Sequence, residues 1–319
     1  MKILFFGSGS FGIPSLQAIN DSGNELTCIF TQPAHPAGRG RKPKPTAVAL
    51  WARQNNIPCT EAENINSPEM IKKVAACNSD LLIVIAFGQK ISAEVINLFE
   101  KGAINVHASL LPKYRGAAPI NWALINNDPQ TGVSIITLAE KMDAGFILDQ
   151  TEVPIDPDDD AQALHDKLAL AAPSLLINTV SQIAASAATY TPQDESQVTY
   201  AHKLKKSDGL LDWTQPAESI RNKIRALWAW PGAQTDYVSA KTSKCIRVTI
   251  AKAEVVKTPD AKNTTFGLFD ENLNVICGRD TIKILRIKPA GSPLMDFKDF
   301  VNGRKTTPGD LLLNIQEKE

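Results

Sequence analysis

Leu81-Leu82-Ile83-Val84-Ile85-Ala86 is an uninterrupted apolar run rich in strand-forming residues, and it decides how the first half of the chain folds. A strand that is apolar on both faces belongs in a sheet covered on both sides. Similar short runs lie at Lys2–Phe6, Leu26–Thr31 and Ala103–His107. Segments with helical spacing lie between the runs, at Ile13–Asn20, Thr46–Asn55, Pro68–Ala76 and Ala93–Glu100. This alternation predicts an α/β fold with a doubly wound parallel sheet.

Two further strands and a long helix complete this half of the chain. Gly132–Leu138 and Phe146–Val153 have strand patterns, and a helix is predicted over Ala161–Ala187. The chain then becomes polar. We therefore predict a first domain over residues 1–188 and a linker over residues 189–207.

Residues 208–319 have a different pattern and are predicted to form a second domain. A helical segment that contains Ile220, Ile224 and Leu227 is followed by short runs typical of strands. These runs are Ala233–Ser239, Lys244–Val256, Thr265–Asp270, Asn274–Gly278 and Thr281–Lys288. Short strands at this density predict a small antiparallel β-barrel of the oligonucleotide-binding (OB) kind. A closing helix is predicted to begin at Ser292-Pro293 and to end near Gly303.

The composition is typical of a globular protein, because 43% of the 319 residues are hydrophobic and 21% are charged. The 34 Lys and Arg residues balance 34 Asp and Glu residues, which excludes a uniformly basic protein that coats nucleic acid. The charges are unevenly distributed: residues 1–190 carry 14 basic and 18 acidic side chains, and residues 191–319 carry 20 and 16. The basic second half indicates an anionic partner at that end.

The cysteines and the N-terminal residues indicate the compartment. The 5 cysteines are odd in number and show no C-x-x-C spacing, so we expect reduced thiols and neither a disulfide framework nor a zinc ribbon. The apolar run Ile3–Phe6 is too short for a signal peptide, and the apolar run at Leu81 is far shorter than a membrane span. These features predict a soluble, cytoplasmic protein.

Gly7-Ser8-Gly9-Ser10-Phe11-Gly12 matches the G-x-G-x-x-G pattern that follows the first strand of dinucleotide-binding proteins. Such proteins also need an acidic residue at the end of the second strand, where this chain has Ile29-Phe30-Thr31-Gln32. The missing acid favours a second interpretation, a tight turn that glycine permits between strand and helix. A nicotinamide-dependent oxidoreductase is the weaker alternative because it rests on this motif alone.

Asn105 and His107 lie two residues apart at the end of a predicted buried strand, so their side chains point to the same side. Polar side chains there are costly unless they are hydrogen-bonded or used, and ligands bind at this edge of open α/β sheets. A hydrogen-bonded core pair is the alternative. Asp143, in the loop Lys141–Gly145, is either a turn residue or a carboxylate that orients the imidazole for proton transfer or for stabilising an oxyanion.

Basic residues form two groups along the chain. One is the loop Gly38-Arg39-Gly40-Arg41-Lys42-Pro43-Lys44, and the other is Lys203, Lys205 and Lys206 in the predicted linker. Most runs of charged residues lie on the solvated surface without a further role. The alternative is that these two groups contact the phosphate backbone of a nucleic acid.

The segment Ile104–Ile120, with the sequence INVHASLLPKYRGAAPI, resembles the signature of the folate-dependent formyltransferase family when Asp143 is taken with it. The loop Phe30–Gly40, the segment Val198–Ala201 and Asp212-Trp213 are similar to the members of this family that act on transfer RNA. The resemblance covers essentially the full chain. It implies a Rossmann-like catalytic domain joined to an OB-like C-terminal barrel.

The resemblance also implies an activity and a set of residues that carry it out. The activity is transfer of the formyl group from the co-substrate 10-formyltetrahydrofolate to the α-amino group of methionyl initiator tRNA, without a metal, by a protein expected to be a monomer. The implied catalytic residues are Asn105, His107 and Asp143. The implied folate-binding residues are Ser109, Leu110, Leu111, Pro112, Phe87 and Gly88. The implied tRNA-binding residues are Arg39, Arg41, Lys42, Lys203, Lys205 and Lys206.

The chain departs from the family pattern in two places. Ala144-Gly145-Phe146 follows Asp143 where Thr-Gly-Asp is typical, and Gly7-Ser8-Gly9-Ser10 stands where the family usually has Gly-Thr-Pro. Because Asp143 itself is retained, the implied chemistry is unchanged, and the departure bears on how this loop lines the pterin pocket.

Two other functions stay open at this point. A formyltransferase that acts on a nucleotide sugar or another amine would share Asn105, His107 and Asp143, but it does not predict the Arg39 loop or the basic linker. An RNA-binding module fused to an inactive α/β fold would keep the basic second half and have no use for the three polar residues.

Overall fold

The computed structural model describes residues 1–37, 42–258 and 265–315, which form two compact units. The first unit consists of Met1–Pro119, Gln130–Pro154 and Ala163–Ala201. The second consists of Ile120–Pro129, Ile155–Gln162 and the described residues from His202 onward.

Strands and helices alternate through the first two hundred residues, and strands dominate the rest. The strands are β1 (Lys2–Gly7), β2 (Glu25–Thr31), β3 (His35–Ala37), β4 (Lys42–Lys44), β5 (Cys59–Glu61), β6 (Leu81–Ile85), β7 (Ala103–His107), β8 (Arg115–Gly116), β9 (Gln130–Thr137), β10 (Ile147–Pro154), β11 (Tyr200–Ala201), β12 (Ala233–Val238), β13 (Cys245–Val256), β14 (Val275–Ile276), β15 (Thr281–Pro289), β16 (Met295–Asp296) and β17 (Leu311–Leu313). The helices are α1 (Ile13–Asp21), α2 (Ala47–Gln54), α3 (Pro68–Ala76), α4 (Ala93–Ile96), α5 (Pro119–Ile125), α6 (Ala161–Ala184), α7 (Ala217–Leu227) and α8 (Phe297–Arg304).

A seven-stranded sheet with the order β10-β9-β7-β6-β1-β2-β5 forms the centre of the first unit. The five strands from β7 to β5 pair in parallel, which confirms the predicted α/β fold. β9 pairs antiparallel with β7, and β10 pairs antiparallel with β9. The short connection between β9 and β10 accounts for the antiparallel pairing of these two strands, because a parallel crossover needs a dozen or more residues. β7 is therefore an interior strand, between β6 and β9.

The strands of this sheet form where the sequence is apolar on both faces. All five residues of β6 are buried, and Leu4, Phe6 and Phe30 from β1 and β2 join the same hydrophobic cluster. Hydroxyl side chains fix the starts of the helices on the outside. Thr46 accepts a hydrogen bond from the backbone of Ala49 at the start of α2, as Ser67 and Ser92 do at the starts of α3 and α4.

Some elements of the first unit differ from the sequence-based expectation. α4 ends at Ile96 instead of continuing to Glu100. β5 was not predicted, because it is a three-residue edge strand, Cys-Thr-Glu, without an apolar run. The helix α5, which was not predicted either, belongs to the second unit apart from Pro119. Residues Gly7–Gly12 form a turn and a 3₁₀ helix, Ser10–Gly12, that leads directly into α1.

The second unit is built on a curled antiparallel sheet with the order β14-β15-β13-β12-β17. The backbone of Gly267–Phe269 bonds to both outer strands. Gly267 N donates to Ile276 O of β14, and Leu312 N of β17 donates to Gly267 O. This segment nearly closes the sheet into the predicted barrel, around a core that includes Trp213, Tyr237 and Ile250.

The predicted strand Thr265–Asp270 is this closing segment, which makes single bridges at Leu268 and Phe269 and is not a continuous strand. The short strand β17 was not predicted, and α8 starts at Phe297, later than expected. All 5 cysteines are free thiols. In the part of the chain that the structure describes, no helix combines the length and the apolar character needed to cross a bilayer.

Asp212 stabilises the entry into the second unit as a carboxylate. Its oxygens accept hydrogen bonds from Thr214 Oγ1, Thr214 N, Gln215 Nε2 and Asn314 Nδ2. These bonds, the one from the Thr214 hydroxyl above all, lower the pKa of Asp212 from 3.8 to about 2.

We predict that Asp212 makes the unfolding free energy depend on acid pH. Because the pKa of Asp212 is lowered in the folded state, its stabilisation is present above pH 3.8 and is lost as the pH falls toward about 2. The difference in urea midpoint between the wild type and Asp212→Asn should therefore be largest near neutral pH and vanish toward the acid end. The exposed Asp299→Asn serves as the control, and an equal pH dependence in both variants would contradict this account.

Candidate active site

Asn105 and His107 lie on the same side of the interior strand β7. Strand pairing places Asn105 opposite Val84 of β6, and it places His107 opposite Ser134 of β9. Asn105 is half-buried, and its side-chain amide has no hydrogen-bond partner within residues 1–37, 42–258 and 265–315. An amide in this position can donate to, and accept from, a bound molecule.

His107 is buried, with 6% of its surface exposed, and each ring nitrogen faces an oxygen. Nε2 lies 2.9 Å from the backbone oxygen of Tyr114. Because a backbone carbonyl can only accept, we assign the proton to Nε2. Nδ1 lies 3.7 Å from Oδ2 of Asp143. Nδ1 is thus the ring nitrogen that faces the Asp143 carboxylate.

Asp143 reaches His107 from the loop between β9 and β10. Its backbone is in the left-handed region, with φ of 53°, and its side chain is only 13% exposed. Oδ2 also accepts a hydrogen bond of 2.8 Å from Gly116 N. The structure therefore brings His107 and Asp143 together, as the sequence predicted, with one carboxylate oxygen placed between the imidazole and a backbone amide.

The segment Ser109–Pro112 follows the end of β7, and the side chain of Ser134 in β9 holds its backbone by hydrogen bonds. The Ser134 hydroxyl donates to Ser109 O at 2.6 Å and accepts from Leu111 N at 3.0 Å. Gln150 Nε2 donates to Ser134 Oγ at 2.7 Å and to Leu111 O at 3.0 Å. These bonds fix the backbone of the segment that was predicted to bind folate.

Ser134 and Gln150 were missed by the sequence analysis. Ser134 is the single polar residue within the buried stretch Val133–Ile136 of β9. A buried hydroxyl needs hydrogen-bond partners, so a serine within an apolar strand indicates a side chain that is bonded to a nearby group. The sequence did not show that its partners are the backbone groups of Ser109 and Leu111.

Phe87 and Gly88, the other predicted folate-binding residues, lie at the turn that follows β6. The Phe87 ring is buried, 5.1 Å from the ring of Phe6, and its carbonyl oxygen accepts from Gln32 Nε2 at 2.8 Å. Gly88 has φ of 82°, a conformation that favours glycine. The ring of Phe87 thus belongs to the core, and a folate contact at this turn stays a prediction.

The predicted tRNA-binding residues lie in both units. Arg39 and Arg41 fall outside the described residues, and Lys42 begins the short strand β4, which pairs with β3. The other three predicted residues, Lys203, Lys205 and Lys206, are exposed, and the intervening Leu204 is buried. The basic side chains of this segment therefore point to solvent, and their role in binding RNA stays a prediction.

Comparison with known proteins identifies the family. The formyl transferase model matches residues 1–180, and the model of the formyl transferase C-terminal domain matches residues 203–305. The chain belongs to the formyltransferase family. The predicted enzyme class is confirmed by this match to a formyltransferase domain that holds Asn105, His107 and Asp143.

Curated relatives match over nearly their whole length. The methionyl-tRNA formyltransferase of Trichlorobacter lovleyi is 38% identical over 312 residues, which cover 98% of this chain and 97% of the relative. That of Methylococcus capsulatus is 38% identical over 303 residues, or 95% of this chain and 96% of the relative. A solved N-formyltransferase from Helicobacter canadensis shares the fold, with a TM-score of 0.61, 17% identity, and coverage of 89% of this chain and 99% of its own.

We predict that Ser134→Ala lowers the free energy of unfolding by about 1–3 kcal/mol, because it leaves buried backbone groups of Ser109 and Leu111 without their partner. Urea unfolding measures the change. Ser181→Ala is the matched control: it removes a hydroxyl that bonds within α6 on an exposed surface and should cost less than about 0.5 kcal/mol. Equal losses in the two variants would show that Ser134 does not anchor this segment.

Proposed function

We propose that this formyltransferase transfers the formyl group of 10-formyltetrahydrofolate to the α-amino group of methionyl initiator tRNA. The product is N-formylmethionyl-tRNA, which serves translation initiation. The observation that carries the proposal is the match to relatives named methionyl-tRNA formyltransferase along both units, at 38% identity over 98% of this chain. We place the reaction in the cytoplasm and assign it to the monomer.

The site suits a folate that carries a formyl group. Asn105 has an unused amide beside His107, and the anchored Ser109–Pro112 segment provides an apolar edge next to them. The related enzyme from Helicobacter canadensis was solved with folinic acid, which supports a folate donor here. When bound, the folate supplies the formyl carbon, and the protein supplies hydrogen bonds and proton transfer.

The reaction forms a bond between the amine nitrogen and the formyl carbon and breaks the bond from that carbon to the folate nitrogen. One proton leaves the amine, and one reaches the folate nitrogen, so the step needs no oxidant and no covalent enzyme adduct. Asn105 and the protonated Nδ1 of His107 donate hydrogen bonds to the oxygen that gains negative charge. Asp143 holds the imidazolium in place and, through water, helps to move the proton from the amine to the folate nitrogen.

Selection of the RNA rests on basic residues outside this site. We assign phosphate contacts to Lys203, Lys205 and Lys206, which are exposed. The same role is proposed for the basic loop with Arg39, Arg41 and Lys42. A nucleotide-sugar substrate does not need such a surface, because it carries few phosphates and they lie close to the reacting amine.

The proposed function is tested by formyl transfer from 10-formyltetrahydrofolate to methionyl initiator tRNA, with elongator methionyl-tRNA and an amino-sugar nucleotide as the competing acceptors. We predict that the wild type prefers the initiator tRNA. Asn105→Ala, His107→Ala and Asp143→Ala should each lower kcat by about 10²–10³-fold, because each removes a group that acts in the transition state. Binding of the tRNA should change little. Preference for the sugar, or full turnover in all three variants, would overturn the assignment.

We also predict that tRNA binding weakens steeply with salt and that the linker lysines contribute to this slope. Replacing Lys203, Lys205 and Lys206 together with Ala should reduce the slope of log affinity against log salt by up to about three, one for each phosphate contact. A variant with Ala at three other exposed lysines, Lys72, Lys90 and Lys241, is the control. Binding that does not respond to salt would remove the phosphate contacts from the proposal.

A further inference from the structure

The loop that carries Asp143 is bound by a side chain from a distant part of the first unit. Gln193 Nε2 donates to Asp143 O at 2.7 Å and to Gly145 O at 2.8 Å. One amide group therefore holds the loop backbone on both sides of Ala144. Gln193 itself is half-buried, which strengthens these bonds relative to bonds in open solvent.

Arg115 fixes the orientation of this amide. Its Nε donates to Gln193 Oε1 at 2.9 Å, so the amide nitrogen has to face the loop. The Arg115 side chain is buried, with 3% of its surface exposed, and its guanidinium is held at the other end by Glu195, with 2.8 Å between Nη2 and Oε1. Both hydrogens and the oxygen of the Gln193 amide are thus used, and the buried Arg115, paired with the exposed Glu195, sets the orientation of the amide.

The shape of the Asp143 loop needs such an external support. Asp143 is in the left-handed region with φ of 53°, which residues other than glycine adopt uncommonly. Gly145 passes so close to β9 that an added Cβ would lie 1.7 Å from Thr137 O. A loop with this backbone keeps its conformation only when its surroundings impose it, and Gln193 contacts the carbonyl oxygens of both residues.

The segment around Arg115 also contacts two of the three proposed catalytic side chains, His107 and Asp143. Tyr114 O accepts from His107 Nε2, and Gly116 N donates to Asp143 Oδ2. Gly116 has φ of 127° and lies against the backbone of Ala201, where a Cβ would meet the oxygen at 2.5 Å. Arg115 therefore connects the backbone that orients His107 to the side chain that holds the Asp143 loop.

We propose that Gln193, oriented by Arg115, is a positioning residue that holds the carboxylate of Asp143 against His107. Gln193 acts through the backbone of the loop and takes no part in the chemistry. The expected effect on the reaction rate rests on the proposed function. The structural effect, a fixed Asp143 loop, does not depend on which substrate is formylated.

The test compares three variants of the full chain. Gln193→Met keeps the length of the side chain and removes both donors. Gln193→Glu keeps the shape of the side chain and places a carboxylate oxygen against the carbonyl oxygens of Asp143 and Gly145. This variant provides an independent measurement if Gln193→Met folds poorly. Gln197→Met is the matched control, because Gln197 lies in the same segment, is exposed, and bonds to Asp194 instead of the loop.

Kinetics on methionyl initiator tRNA separate positioning from general destabilisation. Both Gln193 variants should lower kcat by about 10–100-fold, with KM for the tRNA unchanged, because a displacement of about 1 Å at a catalytic group has effects of this size. In an Asp143→Asn background, the further loss caused by Gln193→Met should be less than about threefold, because the carboxylate to be positioned is already absent. A full further loss in that background would overturn the proposal.

Amide hydrogen exchange gives a readout that is independent of the substrate. The Gly116 amide and the amides of residues 139–147 should exchange at least about tenfold faster in both Gln193 variants, and at the wild-type rate in Gln197→Met. Unchanged exchange in the Gln193 variants would overturn the proposal even if activity fell. If the wild type formylates no tRNA, the proposed function fails, and hydrogen exchange still decides whether Gln193 holds the loop.

Discussion

The site depends on one hydrogen bond, from Nε2 of His107 to the backbone oxygen of Tyr114. A buried imidazole without partners would be costly, and this bond satisfies one of its nitrogens with a group that cannot change its protonation state. The other nitrogen is left facing Asp143. The choice of tautomer is therefore made by the backbone, which leaves Nδ1 as the nitrogen available for the proposed proton chemistry.

The residues that hold this arrangement come from segments far apart in the chain. Tyr114 and Gly116 contact the two ionisable side chains, and Ser134 fixes the backbone that follows β7. Gln193 fixes the loop that carries Asp143. The predicted linker, residues 189–207, thus contains side chains that bind the proposed catalytic loop within the first unit.

Sequence reasoning found the parts whose signal is local. The apolar run of β6 and the alternation in β7 were sufficient to predict the sheet and to place Asn105 and His107 on one side of it. Asp143 could be paired with them only by chemical complementarity and by resemblance, because loops have no period. Gln193 was not found, because a glutamine in a polar stretch looks the same whether it bonds to solvent or to a distant carbonyl. The antiparallel edge strands and the segment that closes the barrel depend on connection length and backbone pairing, which hydrophobic patterns report weakly.

The pairing of β8 with β11 has a consequence for how the enzyme acquires activity. Tyr114 N donates to Thr199 Oγ1 across a separation of 85 residues, and Arg115 and Gly116 pair with Tyr200 and Ala201. Closing so long a stretch of chain costs conformational entropy, and we expect these contacts to form after the hydrophobic strands have collapsed together. A nascent polypeptide could therefore possess its complete central sheet and still be catalytically silent until the stretch around Thr199 has docked.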